Sequence, residues 1–350
     1  MNSQPNSLTE IAYYSRNTIK WGFISIVSAF LLISTIRIAA SAWKTRHPPP
    51  PPPADTAWGS LPVTKFEESS VRPEGFYLET ISGDLPQTPS QENVYFIIAK
   101  KSKILAYEDT KYIAGKLGFS TTPENPSEDL YVYRNPSSGS QLKINPLTLN
   151  FEYQYPFRSD QTIISQKLTN TQNAITSAYS YLTSAGVAFE DINPQGKITL
   201  YTLTPTSLNK APSISEANLA RIDFSRNKIG EYPILSQNLE DPNISLWVTG
   251  ESSSKAVVQA KFIYFPYDKE KVSIYPLKPI TQAWDELLAG NYHQTNLENY
   301  QSGKVAIRNV FLAYMDPHYP MEFLKPFYVF EGDNKFVGVV EAISSEFLAE

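Results

Sequence analysis

The chain has 350 residues, a formal net charge of −5, 41% hydrophobic and 13% aromatic residues, and no cysteine. Without cysteine there is no disulfide framework, thiol chemistry, cysteine-ligated zinc or lipid attachment through a thiol. A net negative charge, with no Lys/Arg cluster interleaved with aromatics as a binding strip would be, argues against nucleic acid, while the apolar content is enough for a core held by burial alone.

The first element is an apolar helix. From Trp21 to Ile36 no residue is charged, and the apolar stretch resumes after Arg37. A bilayer core about 30 Å thick needs about 20 helical residues, which Ile19 to Ile38 supplies, with Lys20 and Arg37 placed to snorkel and Trp21 and Trp43 placed at the interfaces. Arg16 and Lys20 on one side nearly balance Arg37, Lys44 and Arg46 on the other, so the positive-inside count leaves orientation open. The downstream chain, rich in Tyr, Asn, Ser and Thr, suits an extracytoplasmic location. The expectation is a cytoplasmic tail over 1–18, a lipid-embedded helix over 19–42 and the remainder outside the cell membrane. Ala40-Ser41-Ala42 also matches a small-residue cleavage site; cutting there would release a protein beginning at Trp43.

Six prolines, Pro48 to Pro53, follow. In polyproline II they would extend about 19 Å, and 43–72 reads as a Pro-rich linker or stalk.

Beyond it the chain alternates helices and strands. Gly75–Ile81 and Val94–Ala99 read as strands, Glu108–Leu117 as a helix stopped by Gly118, and Tyr131–Tyr133 and Leu147–Tyr153 as strands. A helix over Gln161–Ser184, stopped by Gly186, precedes strands at Lys197–Tyr201 and Ala220–Phe224. After a strand at Val257–Phe265, Ile280, Ala283, Trp284, Leu287 and Leu288 make one apolar helix face. Val305–Tyr314 is a strand, and Phe327–Phe330 pairs with Phe336–Ile343 across Gly332-Asp333-Asn334. The reading is α+β, with repeated helix-plus-antiparallel-strand units at 73–157, 158–250 and 251–350.

The last unit carries Ile280-Thr281-Gln282-Ala283-Trp284-Asp285-Glu286-Leu287-Leu288-Ala289-Gly290, then Val310-Phe311-Leu312-Ala313-Tyr314, Phe323-Leu324-Lys325-Pro326-Phe327-Tyr328-Val329-Phe330 and Val340-Glu341-Ala342-Ile343. This resembles the C-terminal part of the YycI/YycH family of extracytoplasmic regulators. The resemblance covers about a fifth of the chain and implies a membrane helix, an outer domain of helix-and-sheet units, and a non-enzymatic regulatory role toward a membrane partner such as a sensor kinase. It carries over no partner-contacting residue.

Catalytic signatures are sparse, and no cofactor or metal is implied. His293 and His318 with Asp316 could build a hydrolytic or metal site, yet no metal-ligand spacing joins them. Asp285 and Glu286 could supply half of a glycosidase pair, but adjacent helix positions point about 100° apart. Ser252 and Lys255 have Ser-x-x-Lys spacing in what reads as a hairpin loop, and Asn243-Ile244-Ser245 matches a glycosylation acceptor. Trp247, Tyr264, Tyr267, Tyr275 and Tyr319, at strand ends or in loops, are the candidate partner-binding residues, with core packing the competing reading for each. Three function classes stay open: a non-enzymatic membrane-anchored envelope protein that modulates a membrane or envelope partner, a cell-wall glycan-binding or scaffold module, and an envelope hydrolase.

Overall fold

The structure, a computed structural model, describes residues 8–46, 53–66, 72–98, 105–120, 122–124, 126–251, 255–295 and 303–349. It divides into two compact units, 1–53 and 54–350. Most of the proline run, His47 and Ser252 to Ser254 lie outside the described residues.

In the first unit, helix α1 runs over Leu8–Arg46. Its apolar stretch Tyr13–Ser41 has 29 residues, about 44 Å at 1.5 Å per residue, long enough to cross a bilayer. A core helix of this composition would be mostly buried, whereas its most apolar window is 0% buried. A single N-terminal apolar helix of this kind is consistent with a single-pass membrane anchor.

In the second unit, eight strands form one antiparallel sheet, in the order Tyr131–Arg134, Gln141–Ile144, Phe151–Gln154, Val257–Phe262, Ile244–Thr249, Leu219–Phe224, Lys197–Leu203, Leu208–Lys210. Helix α2 (Ala106–Lys116) packs on α4 (Thr171–Ala185), whose Ala174, Ala178, Leu182 and Ala185 are buried against this sheet with Tyr153, Ile222, Leu246 and Phe262. The small residues on α4 let its backbone approach the strands. Between α2 and α4 in the chain comes the short helix α3 (Gln161–Ser165), and its Ile163 joins Leu219 and Val258 in a separate cluster.

The expected helix over Gln161–Ser184 is therefore two helices. Asp160 caps the first by accepting from the Thr162 N–H, and Asn170 caps the second by accepting from the Gln172 and Asn173 N–H groups. An Asx cap inside the run ends one helix and starts the next. Gly186 ends α4 in the left-handed region at φ 77°, which glycine adopts without a Cβ clash.

The other large sheet joins Ile234–Ser236, Lys304–Asp316, Pro326–Gly332, Val337–Glu341 and His293–Gln294, with Gly75–Leu78 beside Lys304–Ile307. Two of its pairings are parallel, those of Lys304–Asp316 with Ile234–Ser236 and with Gly75–Leu78. Helix α5 (Ile280–Leu288) buries Ile280, Ala283 and Leu287 in a cluster with Tyr328, Phe330 and Val340. The opposite face carries Phe327, Val329, Val337 and Val339 in another cluster. Burial on both faces explains why these two strands read as continuous apolar runs. The hairpin falls where the sequence placed it, with Phe330 opposite Gly338 and Asn334 at φ 56° in the turn.

Strand pairing crosses the boundaries expected at 157/158 and 250/251. Val257–Phe262 sits between Phe151–Gln154 and Ile244–Thr249, so one sheet draws on all three ranges. The helix-then-strand alternation is present, but it does not mark separate sheets.

The outer part of the expected linker also changes character. Residues 54–66 form a strap packed into the second unit. Trp58 stacks on Phe323 at 4.9 Å, Leu61 is fully buried, and Leu61–Pro62 pairs in parallel with Leu348–Ala349. Asp55 accepts from the Ser273 hydroxyl and the Ile274 N–H, while the Tyr275 hydroxyl donates to the Gly59 carbonyl. Polar, Pro-containing composition resembles a linker; two apolar anchors are enough to dock it.

Candidate functional site: the seam between the two sheets

The loops leaving the two large sheets meet along a seam. Arg226, just past Leu219–Phe224, is buried there, its side chain 2% exposed. It pairs with Asp191 at 2.7 Å and with Asp316, at the end of Lys304–Asp316, at 2.8 Å. It also donates to the Phe265 carbonyl and lies over the rings of Tyr264 and Tyr267, at 4.7 and 5.1 Å. Burial works to discharge this guanidinium, but Asp316 and Asp191 outweigh it and hold Arg226 above its ordinary value. Burial likewise pushes the Asp316 carboxyl up, against the pull of Arg226 and the Asn243 amide.

Asn243 extends the network outward. Its Nδ2 donates to Asp316 Oδ2 and to the Pro317 carbonyl, both at 2.9 Å, which leaves Oδ1 facing His318 Nδ1 at 3.1 Å. An amide oxygen only accepts, so Nδ1 of His318 is the donor and the tautomer is set by this network. The 2%-exposed Asn243 amide is committed inside the seam, which removes it as a glycosylation acceptor.

His318 and Tyr319 form a wall shared by two depressions. One is a cavity of about 280 Å³ lined also by Lys65 and Phe66 of the strap, Gln237, Asn238, Asp241 and Gln294. The other, about 340 Å³, is more open and includes Leu130, Lys143, Phe151, Glu152, Ile263, Phe265 and Pro320. The Tyr319 hydroxyl donates to the Lys65 carbonyl and accepts from the Lys65 N–H, fastening the strap to the wall. Burial pushes this hydroxyl up, so it remains protonated at neutral pH.

A second buried charge pair lies under the strap. Lys325 and Glu341, 2% and 8% exposed, meet at 2.6 Å. Lys325 also donates to the Pro62 carbonyl, and the Thr64 N–H donates to the same Glu341 oxygen. His293 stacks on Phe66 at 4.2 Å, and burial holds its pKa below the ordinary value.

The five aromatics singled out from sequence take different places. Tyr275 is fully buried and Tyr264 is 6% exposed, its hydroxyl donating to Asp191 at 2.6 Å; both are interior groups, contrary to the exposed reading. Trp247 sits within Ile244–Thr249 and packs on Tyr201 at 4.8 Å, and Tyr267 shields Arg226. Tyr319 alone of the five lines the cavity.

His293 and His318 do not converge with Asp316, which Arg226 and Asn243 occupy. Glu286 pairs with Lys278 at 2.8 Å, and Lys255 pairs with Asp160 at 2.6 Å. Among the described residues, no group of three His, Asp or Glu could hold a metal ion. Sequence reasoning did not reach Arg226, Asp191, Gln237, Asn238 or Asp241, whose positions are brought together only by the fold.

No protein-family model matches the chain, and no curated protein matches it. The YycI/YycH likeness of 280–343 therefore rests on the quoted motifs alone. Among solved structures, the chain is similar to an uncharacterized protein from Eubacterium rectale ATCC 33656, with a TM-score of 0.41 and 10% identity over 73% of this chain and 84% of that one. It is also similar to the Bacillus megaterium YpeB C-terminal domain, with a TM-score of 0.32 and 12% identity over 70% of this chain and 94% of that one.

Proposed function

We propose that this chain is a non-enzymatic, single-pass envelope protein, with a cytoplasmic N-terminus and an outer 54–350 domain that binds and modulates a membrane or envelope partner. A sensor kinase is one partner of this kind. The observation that carries the reading is the disposition of charge at the seam. The buried charges are committed to one another, Arg226 to Asp191 and Asp316 at the seam and Lys325 to Glu341 under the strap. What remains at the surface is recognition chemistry: the half-buried Tyr319, the exposed Leu130 and the open depression between them.

Anchoring supports the same reading. Confinement to a membrane raises the effective concentration toward co-resident proteins, so a modest interface suffices. Hydrolysis of a glycoside would call for two carboxylates flanking one bond, whereas Asp241 and Glu152 line different depressions.

The test is chemical crosslinking in native membranes, with mass spectrometry of the proteins joined to the full-length chain. A reproducible membrane or envelope protein, linked through residues 280–343 or the neighbouring seam loops, supports the proposal. Crosslinks only to copies of the chain or to wall material contradict it.

A further inference from the structure

The cavity on the Lys65–Phe66 side of the His318–Tyr319 wall has a chemistry of its own. We propose that it is a binding site for one neutral sugar ring. The inference is independent of the partner reading, which concerns the other side of the His318–Tyr319 wall.

Volume sets the first limit. At about 280 Å³ the cavity lies just under the range of about 300–1,000 Å³ typical of drug-sized ligands, so it holds one ring rather than a length of chain.

The lining sets the second. Phe66, one face of which is covered by His293, and Tyr319 offer ring surface, whose negative faces suit the C–H groups of a pyranose. Gln237, Asn238 and Gln294 bring side-chain amides, each carrying donors and an acceptor, as a hydroxylated ligand requires.

Two groups are held in place. Asn238 Oδ1 accepts from the Glu240 and Asp241 N–H groups, at 2.9 and 3.2 Å, which holds its amide in place. Asp241, with its side chain 62% exposed at the cavity mouth, accepts at Oδ2 from Lys261 at 2.6 Å, so its other oxygen can accept from a ligand hydroxyl. The lining carries one lysine and one aspartate, so no net charge selects an anion or a cation. One fixed amide, two further amides, one ion-paired carboxylate and aromatic ring surface around a ring-sized space fit a polyol better than a phosphate or an amine.

The experiment is isothermal titration of the full-length chain, in a detergent without a sugar headgroup, with the trisaccharide of N-acetylglucosamine and with maltotriose. Saturable binding of either is expected; preference for the first points to a wall glycan and preference for the second to a storage or capsular glucan. Asp241→Ala and Gln237→Ala should each weaken binding about tenfold, the loss of one hydrogen bond to a charged or amide group, while Lys210→Ala on the far edge strand leaves it unchanged. Melting curves of the variants confirm that they fold. Absence of saturable heat with both sugars, or unchanged affinity in the two seam variants, overturns the proposal.

Discussion

Arg226 and Asp316 lie 2.8 Å apart, one just past a strand of the eight-stranded sheet and the other ending the longest strand of its neighbour. Their pairing, with Asp191 as second acceptor, fixes how the two sheets meet and so shapes the seam. Removing one side of a buried pair strands the other charge, at a cost of about 3–5 kcal/mol. Arg226→Met is therefore expected to destabilise the chain by that amount in urea unfolding. A loss under about 1 kcal/mol, the usual worth of an exposed pair, would show that the network is solvated.

Lys325 and Glu341 allow a sharper version of the same test. Lys325→Met and Glu341→Leu should each cost about 3–5 kcal/mol, while the double variant recovers most of the loss, because an apolar pair can replace a buried ion pair at little cost. Additive losses would mean that the two side chains act separately. The double variant still gives up the Lys325 bond to the Pro62 carbonyl and the Glu341 bond to the Thr64 N–H, so its recovery should fall short of complete.

Leu61 distinguishes a docked strap from a free linker. Its side chain is fully buried within the cluster that holds Tyr275, Ile280 and Tyr328. Leu61→Ala is expected to lower stability by about 2–5 kcal/mol, measured by denaturant titration. A substitution in a solvated linker would leave the midpoint unmoved.

His293 gives the domain a pH dependence of known sign. Burial depresses its pKa in the folded chain, with Arg72 acting the same way and Glu341 opposing, while the unfolded chain titrates near 6.5. As pH falls below that value the unfolded state takes up a proton first, so stability is complete above about 6.5 and is lost toward the lower, folded pKa. The slope for this one group is at most about 1.4 kcal/mol per pH unit. His293→Phe, which keeps a ring against Phe66, should flatten the decline between pH 7 and 5. An unchanged slope would place the titration elsewhere.

Much of the fold was legible where one physical pattern dominated. Helix α5 follows from apolar residues at Ile280, Ala283 and Leu287, all buried as the spacing predicts. The strand Tyr267–Pro276 was not legible, because Asp268, Lys269, Glu270 and Lys271 interrupt its alternation. The ladder accommodates them by a register shift between Asp268 and Val272, which local composition does not announce. Lys325 and Glu341 did leave a trace, each a charge interrupting an apolar run, and opposite charges so placed can be read as a buried pair. Asp191 and Arg226 left none, and Asn243 and Asp316 drew notice only for other roles: the four stand far apart in the chain and converge only after the sheets have formed.

The most direct test of partner binding at the seam replaces Leu130, 41% exposed beside the open depression, with a photo-crosslinking residue in the full-length, membrane-anchored chain. A second variant carries the same residue at Lys210, on the opposite edge of the eight-stranded sheet. The account predicts a discrete adduct with one membrane or envelope protein from position 130 and none from position 210. No adduct from position 130, or the same adducts from both positions, would contradict it.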